Sequence, residues 1–189
     1  FYNLDSALLY AKVSVASYFE GTSEKQKMKY KVLAVDSIAV INQRAVVDSI
    51  CFLYAQNQNT IDAYSYFLLK NKDAKETKQA VSNRDFLAYK NAKKMNTSKA
   101  YKQFMAVYPN AVQFDEVNAR YQKALFKEYT VDGTLESNVR FIKEQPANFY
   151  VTQAQKNVYK LATKEKSIVA YLNFIKTYPK SPSVPKAWR

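Results

Sequence analysis

The chain predicts an all-α fold built from stacked antiparallel helix pairs. Three observations carry that prediction. First, only 2 Gly and 5 Pro occur among 189 residues, fewer turn residues than a sheet-rich fold needs. Second, one stretch recurs. Thr97–Ala111 (TSKAYKQFMAVYPNA) is echoed by Thr60–Ala74 (TIDAYSYFLLKNKDA), Thr134–Asn148 (TLESNVRFIKEQPAN) and Ser167–Ser181 (SIVAYLNFIKTYPKS). Third, Phe67, Phe104, Phe141 and Phe174 occupy one column of that repeat, spaced 37, 37 and 33 residues apart. Such a period suits a helix–turn–helix unit whose apolar stripes are buried by stacking on neighbours.

Asn3 or Asp5 is the expected cap of the first helix. Leu4, Ala7, Leu8 and Ala11 fall at helical spacing, and the pattern runs on to about Phe19. Gly21-Thr22-Ser23 breaks it, with Ser23 placed to cap the next helix. Glu24–Asn57 contains neither Gly nor Pro. It reads as one very long helix, or as two meeting near Asp36–Asn42. A degenerate copy of the repeat is weakly legible from Ser23, with Tyr30 in the phenylalanine column. Cys51 lies among apolar residues and reads as a small buried hydrophobe. A lone cysteine forms no internal disulfide, so it does not fix the redox compartment.

From Thr60 the repeat is clear, giving units 60–96, 97–133, 134–166 and an incomplete 167–189 after an N-terminal region 1–59. Each unit opens on Thr or Ser, whose hydroxyl can accept from an orphan amide of the first turn. An Ala-Tyr pair follows in three copies, and Ser137-Asn138 replaces it in the third. Tyr64, Phe67 and Leu68, with their equivalents, form an apolar stripe at i, i+3, i+4. Pro109, Pro146 and Pro179 stop the first helix, because proline disfavours helical geometry in the residue before it. The first copy has Lys72 at that place. A second helix is expected through Ala80, Val117, Ala154 and Ala187, continuing its face through Leu87-Ala88, Ala124-Leu125 and Leu161-Ala162. The third unit is four residues shorter. At about 3.6 residues per turn, that loss removes roughly one turn and nearly keeps the face. Gly133 is placed to end a helix. The fourth copy stops inside its second helix, so the chain reads as a fragment of a longer one.

Ala100-Tyr-Lys-Gln-Phe-Met-Ala-Val-Tyr-Pro-Asn-Ala111 and Ala170-Tyr-Leu-Asn-Phe-Ile-Lys-Thr-Tyr-Pro-Lys-Ser181 resemble the tetratricopeptide repeat. They are most similar to the variant in bacterial outer-membrane assembly lipoproteins and repeat-bearing envelope proteins. Ala187-Trp188 resembles the start of that family's first helix, and Asp5–Ala11 its second. The likeness covers about residues 60–189 and is poor over 1–59. The unit is longer than the usual 34 residues, and the small-residue positions are loosely kept. The resemblance implies a right-handed superhelical α-solenoid, a protein-interaction scaffold rather than an enzyme, and a periplasmic or outer-membrane-associated setting.

Composition narrows the chemistry. Histidine is absent, which removes the commonest general base and metal ligand. No catalytic, cofactor or metal site is expected. Asp115-Glu116 is a carboxylate pair, but neighbours on a helix do not face each other. Asn96-Thr97-Ser98 reads as a helix cap rather than a glycosylation site. The 16 Tyr and 11 Phe read as core more than as platforms for sugars or bases. No uninterrupted apolar run approaches a membrane span.

Net charge is +13, from 24 Lys and 5 Arg against 16 acids. The excess gathers in residues 61–100 (+5) and 146–189 (+7). Lysine-rich, arginine-poor charge suits diffuse attraction to acidic surfaces better than bidentate recognition of bases, so nucleic acid is disfavoured. Lys90, Lys127 and Lys160 each precede the next cap by seven residues and are expected to stack as a basic ladder. Lys94 and Lys164 make a second column, interrupted by Val131. Two functions stand as expectations. One is a scaffold holding a protein or peptide; the other is a binder of anionic polymer, such as acidic glycan, nucleic acid or lipid headgroups.

Overall fold

The computed structural model describes residues 3–189. All their regular elements are helices, and no strand occurs among the described residues. They are α1 (Leu4–Ala16), α2 (Glu24–Val32), α3 (Ser37–Gln58), α4 (Ile61–Lys70), α5 (Thr77–Met95), α6 (Ser98–Val107), α7 (Phe114–Tyr129), α8 (Leu135–Glu144), α9 (Val151–Ala162), α10 (Ile168–Thr177) and α11 (Val184–Ala187). A π-helical turn, Ser17–Gly21, follows α1 directly. The chain divides into two compact units, Phe1–Ala88 and Tyr89–Arg189.

The repeat is visible down to single hydrogen bonds. Thr60, Thr97, Thr134 and Ser167 each accept from the backbone amide three residues on, at 3.1–3.2 Å. Each opens a ten-residue helix: α4, α6, α8 and α10. Those helices close identically. The amides of Asn71, Tyr108, Gln145 and Tyr178 donate to the carbonyls of Phe67, Phe104, Phe141 and Phe174, all at 2.8 Å. The four closing residues share φ between −119° and −126° and ψ between 50° and 59°. The amides of Ala80, Val117, Ala154 and Ala187 then enter the second helices at 2.9–3.1 Å. All four phenylalanines are buried, as are these four small residues.

One regularity has a sequence signal that periodicity does not reveal. The residue before each of these four caps has positive φ: Asn59 (47°), Asn96 (51°), Gly133 (65°) and Lys166 (52°). A left-handed residue reverses the chain so that the following Thr or Ser can start the next helix. Gly133 stands where a helix-ending glycine is expected, while the two asparagines and Lys166 play the same part.

In the first unit, α1 and α4 both pack against α3. Leu8 and Ala11 meet Val47 on one side of α3. Phe52 and Ala55 meet Tyr64, Phe67, Ala74 and Ala80 on the other. The Phe52 and Phe67 rings lie 5.4 Å apart. Cys51 touches both clusters and is only half-buried, less enclosed than expected. The long segment is two helices, broken at 33–36 and restarted by Asp36, which accepts from Ala39 N at 2.8 Å. Ser23 does cap α2, in a capping box with Gln26, but Tyr30 is exposed where the other column members are buried.

Among the described helices, α3 alone is long and apolar enough, by length and composition, to cross a membrane. Averaged hydropathy detects this where no unbroken apolar run does. Its interior carries an Arg44–Asp48 ion pair at 2.9 Å, both side chains largely buried, and one face packs on α1 and α4. It fits a packed helix of the fold rather than a span.

In the second unit, α6 pairs with α7, α8 with α9, and α10 with α11. Phe141 meets Phe126 and Tyr129 edge to face, with ring centres 5.2 and 5.6 Å away and both pairs at 68°. Phe174 meets Tyr159 at 5.2 Å. The missing four residues come out of the second helix: α7 has 16 residues and α9 has 12. Both end on a threonine whose hydroxyl donates to the carbonyl four residues back, at 2.8 Å. The shortening corrects one expectation. Leu161 is exposed, and Val158, one turn after Ala154, is buried in its stead, because α9 stops before a further turn can cover Leu161.

Candidate functional site

The lysines expected to form a ladder lie in the second unit, and all of them are exposed. Lys90 sits on α5, and Lys127 and Lys160 lie in the last turns of α7 and α9. Lys90 and Lys127 follow their buried small residue, Ala80 or Val117, by ten positions, whereas Lys160 follows Ala154 by six. Four residues are one turn, so Lys160 keeps nearly the same face but sits about 6 Å nearer the start of its helix. A ladder built on these three lysines would therefore be stepped. Lys94 is helical, while Val131 and Lys164 fall in turns, so the second column has no common scaffold. Residues 89–189 hold 18 Lys and Arg against 7 Asp and Glu.

Most acids of this unit are held by neighbours. The Tyr89 hydroxyl donates to Glu116 Oε1 at 2.6 Å, and Arg120 approaches the same oxygen at 2.8 Å. These bonds, Tyr89's first and Arg120's next, hold the Glu116 carboxyl below its ordinary pKa. Glu128 accepts from the amide and hydroxyl of Ser98. Glu144 accepts from Tyr129 at 2.8 Å, whose ring also carries the Arg140 guanidinium at 5.6 Å. In the Asp115-Glu116 pair, then, Glu116 is engaged in structure. Asn96 accepts from Tyr101 at 2.9 Å while Thr97 caps α6, which matches the cap reading of that triplet.

A polar position recurs inside the hairpins. Asn83 donates to the Tyr64 hydroxyl at 3.2 Å, and Asn157 donates to Asn138 Oδ1 at 3.0 Å. Both pairs are 19 residues apart. Asn138, which replaces tyrosine in the third copy, also donates to Thr134 O at 2.8 Å. The exceptional Ser137-Asn138 pair is thus buried and bonded rather than a defect.

Each unit has at least one groove of ligand size. In the first, about 550 Å³ opens between α1, α3 and α4, lined by Leu8, Cys51, Tyr54, Ala55, Tyr66 and Phe67 among others. At its rim Tyr66 donates to Asp5 at 2.6 Å, and the Lys70 ammonium lies 5.6 Å from the Tyr66 ring centre. Asn71, also in its lining and buried, donates to Asp48 at 2.6 Å. The Cys51 thiol there has a raised pKa, chiefly through desolvation, so it is the poorly nucleophilic thiol form that prevails. In the second unit, about 410 Å³ opens among α8, α9 and the end of α10, lined by Val139, Ile142, Val158, Tyr178, Pro179 and Lys180 among others.

No protein-family model matches the chain, and no curated protein is similar enough to count as a match.

Proposed function

We propose that this chain is a non-catalytic interaction scaffold, a right-handed superhelical stack of tetratricopeptide-like helix pairs that holds a protein or peptide partner. The cell-envelope setting implied by the resemblance belongs to the same proposal. One observation carries it: four copies share the same caps, the same closing geometry and the same buried phenylalanine. Hairpins that repeat so closely bury their stripes against neighbours and present equivalent faces outward. Binding by such faces is an inference from architecture. The second unit's groove suits it, being an apolar concavity with few polar groups.

The test is selection of displayed peptides against the purified chain. Peptides with aromatic or aliphatic anchors should be enriched. Their affinity should fall about ten-fold or more on Val139→Asp, as expected when a charge enters a desolvated contact, and should change little with salt. Recovery of no peptide, or of peptides indifferent to that substitution, would count against the scaffold.

A second reading is favoured by the 18-to-7 charge imbalance of residues 89–189. There the lysine column binds an anionic polymer. Heparin retention that drops steeply with salt, and that Lys90→Glu, Lys127→Glu and Lys160→Glu together abolish, would favour this reading. Retention unchanged by that triple variant would dismiss it.

A further inference from the structure

The corner between α2 and α3 is built unlike the rest of the molecule. Val32, Leu33, Ala34 and Val35 are four consecutive apolar residues, and every one is exposed. Val32 is 87% and Leu33 73% accessible, and Met28, one turn earlier, is 67% accessible. Ile38 and Ile41, at the start of α3, are exposed as well. Such a run in water is unfavourable, and folded chains keep one when something other than water covers it. α2 buries no residue at all.

The corner is also fixed in shape. Val35 N–H donates to Tyr30 O and Ala34 N–H to Lys31 O, both at 3.0 Å. Ala34 takes the left-handed conformation, φ 57°, which disfavours any residue with a Cβ. On the far side Asp36 caps α3. Bonds at both helix ends thus hold an exposed apolar turn.

Four lysines precede the corner along α2 and form a collar of positive charge. Lys25, Lys27, Lys29 and Lys31 fall within seven residues. Lys27 pairs with Glu24 at 2.8 Å and lies 5.7 Å from the centre of the Tyr18 ring. Lys25, Lys29 and Lys31 reach no described carboxylate. The nearest acid along the chain to the turn, Asp36, already accepts from the Ala39 amide.

We propose that this corner is a membrane-docking element, with Val32, Leu33 and Met28 entering the interface of an anionic bilayer while the lysine collar engages lipid headgroups. Two features select a bilayer over an acidic protein. The apolar residues form an exposed turn between two helices, whereas the described grooves are lined by residues elsewhere. A protein partner's contact centre needs a complementary pocket, but a fluid interface accepts exposed apolar side chains of any outline. Apolar turn and cationic collar also match the two forces of interfacial binding: area buried at the acyl boundary, and attraction to anionic headgroups. This element lies apart from the grooves and the lysine column, so its test is independent of the scaffold reading.

The experiment uses the full chain with Leu33→Trp in a Trp188→Phe background, titrated with vesicles of phosphatidylcholine plus phosphatidylglycerol and with phosphatidylcholine alone. Tryptophan emission should shift to the blue with the anionic vesicles only, and the shift should reverse as salt is added. In co-sedimentation without the tryptophan, each of Lys25→Gln, Lys29→Gln and Lys31→Gln should weaken partitioning about five-fold. Val32→Ser with Leu33→Ser should abolish it while the far-ultraviolet dichroism stays unchanged. No blue shift with anionic vesicles, or equal partitioning to both kinds, overturns the proposal. So does tight capture by polyglutamate with no vesicle binding, which would assign the corner to an acidic polypeptide instead.

Discussion

Lys166 holds a backbone conformation that glycine adopts freely and lysine does not. Its φ of 52° places it where the preceding copy has Gly133, at 65°. Relief of left-handed strain is worth about 1–2 kcal/mol, and glycine's extra unfolded-state freedom takes back about 0.5–1 kcal/mol. Lys166→Gly should therefore stabilise the chain by about 0.5–1 kcal/mol in a urea melt. Gly133→Ala should cost a similar amount. A Cβ built there meets nothing within 4 Å, so its penalty is backbone strain alone. If both variants melt at the parental midpoint, the left-handed position is not a structural determinant. Glu116 makes a second residue-scale case. Its pKa is lowered by the bonds from Tyr89 and Arg120. Depression of a carboxyl contributes stability that is present above the ordinary glutamate pKa and lost as pH falls through the folded value. Tyr89→Phe removes the largest of those bonds, so the Glu116 pKa read by NMR titration should move up towards the ordinary value. A titration curve that does not move would show that Tyr89 does not hold the carboxylate.

At the scale of the helix, the first copy shows how one backbone geometry is reached by two chemistries. In the later copies a proline follows the closing residue and excludes helical geometry from it. The first copy has Lys72 there, yet Asn71 takes φ −119° and ψ 50°, the same conformation as Tyr108, Gln145 and Tyr178. Its side chain is fixed by donating to Asp48 at 2.6 Å, so a tertiary bond supplies what proline supplies elsewhere. The site is thus already shaped for proline, and the Lys72 amide serves no backbone bond. Lys72→Pro should be accepted and should stabilise by about 0.4–1 kcal/mol through a stiffer unfolded chain. A destabilised Lys72→Pro variant would mean that the four closures are alike in appearance only. The same scale explains the four-residue deletion. It shortens α9 relative to α7 by one turn and leaves both ending on a back-bonded threonine, so the next left-handed residue and cap still follow in register.

Across the whole chain, the legible part of the sequence was whatever repeats. The four caps, the phenylalanine column, the stops and the helix–turn–helix period are local signals written several times, and each copy confirmed the others. Residues 1–59 carry only a weak echo from Ser23, so spacing left one long helix or two meeting near Asp36–Asn42 as alternatives, and it did not show the exposed corner after Lys31. Exposure depends on what packs nearby, and periodicity does not encode that. The Asp48–Asn71 bond and the Tyr89–Glu116 pair were hidden for the same reason: their members lie 23 and 27 residues apart. For Lys90, Lys127 and Lys160 the spacing to the following caps is uniform while their spacing from the buried small residues is not, so the sequence pattern alone did not decide whether they align.

The proposed stack has a consequence that only the entire chain can report. In a quasi-one-dimensional array each repeat is stabilised by itself and its neighbours, so a core lesion stays local. In a single globular core it would be felt everywhere. Phe141 is buried between Phe126 and Tyr129, and its truncation to alanine should cost about 3–5 kcal/mol where it acts. Under native conditions, hydrogen exchange in Phe141→Ala should therefore quicken most in α8 and α9. It should quicken less in α7 and α10, and hardly at all in α3 and α4, whose core is Phe52, Tyr64 and Phe67. Phe67→Ala should produce the mirror result, exposing α3 and α4 while sparing α9. Exchange that accelerates uniformly from α1 to α10 in either variant would show one cooperative core. The superhelical arrangement, and the scaffold reading that depends on it, would then have to be abandoned.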